Sequence, residues 1–158
     1  MPARGCIVIC IGNPDRGDDG LGPAVARQLR SRLAAGVEVI ELDGEATALL
    51  AALDGAGSAY LVDACAGGAA PGTVHRFDAV DAALPEAMYD LSTHGLGLGA
   101  AIELARALGQ LPPRCTVLAV EGRDFNIGAP LSPPVAAAVN DVCRRLQAEI
   151  AETEMSDA

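Results

Sequence analysis

Three apolar runs set the limits on what this chain can fold into. CIVICI at residues 6–11 is apolar at every position and stops at the breaker cluster GNPDRGDDG, while AYLVDA (59–64) and CTVLAVEG (115–122) are further short apolar runs that end on acidic residues or glycine. A strand with one face in water alternates apolar and polar residues, so an unbroken run predicts a strand buried on both faces, as in a parallel sheet covered by helices. VEVIEL (37–42), closed by the turn pair Asp43-Gly44, adds another strand.

Helical spacing fills the intervals. Val25, Leu29 and Leu33 recur at i, i+4 and i+8 with Arg27, Arg30 and Arg32 on the other side, which predicts an amphipathic helix over 21–34 ended by Gly36. Residues 46–54 form a short Ala/Leu helix, and 97–109 another that stops at Gly109, Pro112 and Pro113. Ser132 as cap and Pro133 in the first turn open a last helix, continued by Val135, Val139, Val142, Leu146 and Ile150. The acidic tail from about Glu152 is expected to fray.

TVHRFDA (73–79) alternates instead, and it follows the third strand too soon for a parallel crossover, so it is expected as an antiparallel edge strand. No repeat or linker interrupts the 158 residues, a length that suits one domain. The expected fold class is α/β: one domain over 1–158, a three-layer α/β/α sandwich on a mostly parallel sheet.

Composition removes several function classes. Apolar residues make up 51 % of the chain but aromatics only 3 %, so the core is built from Ala, Val, Leu and Ile. Net charge is −10 and all 11 cations are Arg, leaving no basic stripe for a phosphate backbone; no nucleic-acid partner is expected. No apolar stretch reaches the ~18 residues that span a bilayer, and MPARGCIVIC carries no small-residue cleavage site, so the protein is expected to be soluble, cytoplasmic and without a membrane partner. Five cysteines at 6, 10, 65, 115 and 143 form no C-x-x-C pair and suggest neither a zinc ribbon nor a disulfide framework. Four read as small core hydrophobes; Cys65 stays open because it follows Asp63 closely.

In parallel sheets ligands gather at the carboxyl ends of strands, where this chain places Asp18, Asp19, Asp43, Asp63, Cys65 and Glu121. Asp63 interrupts an apolar strand end, where a carboxylate is costly unless paired, hydrogen-bonded or bound to a metal. It either caps loop amides or serves as a ligand. Asp18 and Asp19 open a helix, and capping is an equally good account of each. His94 lies in LSTHGLGLG, where flanking glycines leave an imidazole accessible, whereas His75, between Val74 and Arg76, is expected to face solvent without a role. Two carboxylates and an imidazole converging from three loops would make an N/O site with open positions for a borderline divalent ion.

Rival sites fit less well. A receiver domain shares the acidic pair and the Asp after the third strand, but its chemistry needs a late Lys and this chain has none. A dinucleotide loop wants G-x-G-x-x-G, whereas Gly12, Gly17 and Gly20 have other spacing and stand among carboxylates. A G-x-S-x-G elbow is absent, and no Ser or Cys has a triad partner in the motifs.

The strings IGNPDRGDDGLGPAVA, ELDG, LVDAC and STHGLGL, in this order, resemble the hydrogenase maturation endopeptidase family over roughly residues 6–150. The resemblance implies a five-stranded twisted sheet in an α/β/α sandwich. It implies that the acidic residue six positions after Asn13, the Asp after the third strand and the later-loop His bind nickel and serve catalysis, here Asp19, Asp63 and His94. It also implies an activity, removal of a carboxy-terminal extension from a nickel-iron hydrogenase large-subunit precursor, with nickel supplied by that precursor as the recognition signal. A nickel chaperone without cleavage is the alternative. The chain departs from many members after the ELDG turn, reading Asp43-Gly44-Glu45-Ala46-Thr47 where a second Gly and a Thr are common.

Overall fold

A computed structural model describes residues 4–33, 35–85 and 97–156. Its strands are β1 (Arg4–Ile11), β2 (Glu38–Leu42), β3 (Ala56–Cys65), β4 (Val74–Asp78) and β5 (Arg114–Glu121). The α-helices are α1 (Leu21–Leu29), entered through a 3₁₀ turn at Gly17–Gly20, α2 (Ala46–Leu53), α3 (Leu98–Ala107) and α4 (Pro133–Ser156). The strands form a five-stranded sheet in the order β2-β1-β3-β5-β4, parallel except for β4, which pairs antiparallel with β5 at the edge.

The unbroken apolar runs bury both faces, as expected. On one face Ile7, Ile9, Leu61, Val117 and Ala119 pack against Leu49 and Leu53 of α2 and Ile102 of α3. On the other, Val8, Cys10, Val62, Leu118 and Val120 pack against Val25 and Leu29 of α1 and Val135, Val142 and Leu146 of α4. The three-layer α/β/α sandwich with an antiparallel edge strand is therefore the fold. Among the described residues, no helix is long and apolar enough to cross a membrane.

Two boundaries differ from expectation. Helix α1 stops at Leu29 rather than Ala34, and the chain leaves it through a tighter turn in which Arg32 N–H donates to the Leu29 carbonyl at 2.9 Å and the Ser31 hydroxyl to that of Gln28 at 3.0 Å. At the other end α4 runs past Glu152 to Ser156. Thr153 explains the continuation: its hydroxyl meets the Tyr60 hydroxyl at 2.7 Å, tying the last turns to β3.

The order of connections matters for function. β1 leads through α1 to β2 on one side, and β2 returns through α2 on the opposite face to β3, which lies on the other side of β1. The carboxyl ends of β1 and β3 thus flank the topological switch point, where an open α/β sheet leaves a crevice.

Candidate active site at the carboxyl ends of β1 and β3

Residues after β1 enter the crevice through a conformation that requires glycine. Gly12 has φ of +149°, and a Cβ there would stand 2.0 Å from the Asp19 carbonyl oxygen, so only glycine lets the strand end pass so close to the 3₁₀ turn. That approach directs Asp19, 7 % exposed, inward; its Oδ2 accepts the Asn13 backbone N–H at 2.9 Å.

Asp63 faces it from the next-to-last turn of the β3 pleat, on the same face as Leu61 and Cys65. Its Oδ1 accepts the Ala64 N–H at 2.8 Å. Burial first, and the Asp19 charge second, push the Asp63 carboxyl well above the usual carboxylate range, against a smaller opposing pull from the Ala64 N–H. Two carboxylates brought together from separate elements in a partly dehydrated crevice repel, and a bound cation removes the repulsion. His94, the third residue expected here, lies outside the described residues.

Asp18 serves a different purpose from its neighbour. It is fully buried and turned away into the loop between β5 and α4: Oδ2 accepts N–H bonds from Arg123 at 2.7 Å and Asp124 at 3.0 Å and the Ser132 hydroxyl at 2.8 Å, while Oδ1 accepts the Ser132 N–H at 2.7 Å. Burial alone would raise this carboxyl, but the four donors outweigh it and hold the group below its ordinary value. Asp18 is therefore structural, yet not as a cap on its own helix, where no side-chain cap bond forms.

Glu45 fills the loop that departs from the common pattern. It is the N-cap of α2, accepting the N–H groups of Thr47 at 2.8 Å and Ala48 at 3.0 Å, and Asp43 in turn accepts the Glu45 N–H at 2.9 Å. Both acidic groups of this loop are engaged in holding the entry to α2.

His75 overturns the expectation that it faces solvent. Its Nε2 lies 3.0 Å from Oε1 of Glu121, whose side chain is 3 % exposed. The β4–β5 register places His75 opposite Ala119, so Glu121 is its diagonal neighbour on one sheet face. Cys65, paired with Glu121 across β3 and β5, joins them, and its thiol is pushed up to about 12 by burial and then by the Glu121 charge. A protonated, buried thiol hydrogen-bonded to a carboxylate is not an activated nucleophile. Glu121 carries the same signal in sequence as Asp63, a carboxylate ending an apolar strand; its partners carry none.

Residues 23–149 match the model of the hydrogenase maturation protease family, HycI. The chain belongs to that family. No curated protein matches it in sequence, but solved structures share the fold: the hydrogenase maturating endopeptidase HybD from E. coli, at 22 % identity with a TM-score of 0.75 over 94 % of this chain and 93 % of that one, and the [NiFe] hydrogenase maturation protease HycI from Thermococcus kodakarensis, at 22 % and 0.70 over 95 % and 94 %. The Hydrogenase 3 maturation protease is similar at 25 % identity, with a TM-score of 0.74 over 94 % of this chain and 92 % of that one. In this family member the candidate site lies at the crevice between β1 and β3, the topological switch point of the sheet.

Proposed function

We propose that this hydrogenase maturation protease is a cytoplasmic endopeptidase that removes the carboxy-terminal extension of a nickel-iron hydrogenase large-subunit precursor, and that it recognises nickel carried by that precursor through Asp19, Asp63 and His94. The observation that carries the reading is the convergence of Asp19 and Asp63 at the topological switch point, where burial and then the Asp19 charge hold the Asp63 carboxyl above the usual range. Two carboxylates with an imidazole form a hard-to-borderline donor set suited to nickel.

In this reading the ion belongs to the substrate, and these side chains complete its coordination so that the scissile peptide lies against the crevice. Water is the nucleophile. Cys65, the cysteine on the same strand as Asp63, is buried, protonated and engaged with Glu121, which gives no support to an acyl-enzyme route.

The test is processing of nickel-loaded and nickel-free precursor in parallel. Only the loaded form should be cut, and Asp19→Asn, Asp63→Asn and His94→Ala should each abolish cutting, while reagents that trap serine or cysteine proteases leave it intact. Efficient cleavage of nickel-free precursor would sink the proposal, and stoichiometric nickel binding with no cleavage of any precursor would make the protein a nickel chaperone instead.

A further inference from the structure

Beside the acidic pair stands a second group of donors that the reaction does not use. We propose that Cys65, His75 and Glu121 form a resident divalent-metal site of the zinc(II) class, separate from the substrate-nickel ligands Asp19, Asp63 and His94 and independent of that assignment.

One donor atom of each residue lies within 4.8 Å of the other two. In a tetrahedral zinc site the donors stand about 3.5 Å apart at bond lengths of about 2.0 to 2.3 Å. Glu121 Oε1 and His75 Nε2, at 3.0 Å, are already near that separation, and no donor pair among the three exceeds 4.8 Å. Three strands supply the ligands: the last residue of β3, the last of β5 and the second of β4, with β3–β5 and β4–β5 in fixed register. The sheet pairing brings the three residues together without an ion.

Charge and the surrounding contacts favour the same conclusion. A thiolate, a carboxylate and a neutral imidazole balance a dication, giving a neutral complex that a buried location tolerates. Glu121 is oriented by the Gly67 N–H, which donates to Oε2 at 2.9 Å and leaves Oε1 toward His75, the kind of supporting bond that positions a metal-ligating carboxylate. The backbone comes so near that a Cβ on Gly67 would lie 2.8 Å from Oε1. The His75 side chain is 33 % exposed, so the group meets solvent on the His75 side. The mixed sulfur, nitrogen and oxygen set also distinguishes this site chemically from the carboxylate pair, since sulfur selects softer ions.

Cobalt(II) titration of the reduced, metal-free full chain tests the proposal, because thiolate coordination produces a near-ultraviolet charge-transfer band that carboxylates and imidazole do not. One equivalent of cobalt(II) should develop the band and zinc(II) should displace it. Cys65→Ser should abolish it, and His75→Gln, a change at a sheet edge that leaves the core intact, should weaken cobalt(II) affinity at least tenfold. The double variant Asp19→Asn with Asp63→Asn should keep the band while losing precursor cleavage, so the two sites fail separately. Absence of the band in the folded wild type, its persistence in Cys65→Ser, or its loss in the Asp19/Asp63 double variant would each overturn the site.

Discussion

Asp18 and Ser132 are joined twice: the Ser132 N–H reaches Oδ1 at 2.7 Å, and the Ser132 hydroxyl reaches Oδ2 at 2.8 Å. With the N–H groups of Arg123 and Asp124 on Oδ2, one buried carboxylate binds the loop after β1 to the loop that leads into α4. Ser132 accepts the Ala136 N–H with its carbonyl, so the same residue starts the last helix and secures the first turn.

Asp18→Asn is expected to be costly, although Asn is often a good substitute at a helix cap. Both oxygens of Asp18 accept from donors, and an amide must turn one NH₂ toward an N–H or hydroxyl. Leaving such donors unsatisfied costs on the order of 2 to 4 kcal/mol, read as a lower urea midpoint. The pH dependence has a defined sign: because the folded carboxyl is held below the unfolded value of about 3.9, its stabilisation is complete above that pH and disappears as pH falls through the folded value. The stability gap between wild type and variant should be constant from neutral pH to about 5 and close in stronger acid; a gap that widens in acid contradicts this account.

Asp19→Asn should show the opposite balance. The substitution keeps the shape and an acceptor for the Asn13 N–H and removes a charge that opposes ionisation of Asp63. Thermal stability is expected to be unchanged or raised slightly, while cleavage of nickel-loaded precursor is lost. A variant that unfolds more readily yet still cleaves would assign Asp19 to structure.

Gly12→Ala tests whether the glycine sets the position of Asp19. The added methyl would meet the Asp19 carbonyl at 2.0 Å in a backbone region unfavourable to alanine. Relief requires the 3₁₀ turn to move, at a cost of about 2 kcal/mol or more, and processing should fall more than stability alone explains. Full activity at temperatures where the variant remains folded would show that Asp19 tolerates displacement.

Tyr60→Phe removes the hydroxyl that meets Thr153 and the Glu149 carbonyl. The expected loss is about 0.5 to 1.5 kcal/mol, with faster amide exchange confined to the last turns of α4. Exchange rising equally along the whole helix would contradict a local tie.

The fold was legible because its signals are local. CIVICI, LVDAC and CTVLAVEG declare two-faced burial residue by residue, and the short link to TVHRFDA leaves no room for a crossover. Asp63 was legible for the same reason, a charge where the pattern demands none. Distant partnerships were not: nothing in the spacing of GRDFN shows that its amides close on Asp18, and nothing in VHR shows that His75 is diagonal to Glu121, because that depends on the β4–β5 register. The course of α4 past Glu152 was not legible, because Thr153 looks like any polar tail residue until β3 places Tyr60 beside it. His94 rests on the family resemblance, outside the described residues.

The bond between Asp18 and Ser132 also has a consequence for synthesis. Chains emerge from the ribosome amino end first, at about 5 to 20 residues per second. The loop bearing Asp19 appears early, but the donors that hold its neighbour are more than a hundred positions later. Until Arg123, Asp124 and Ser132 have left the exit tunnel, the Asp18 carboxylate lacks the donors that bury it in the finished fold. A half-made protease therefore has Asp18 without its four donors, and the tie between the two loops closes only when most of the chain has been translated.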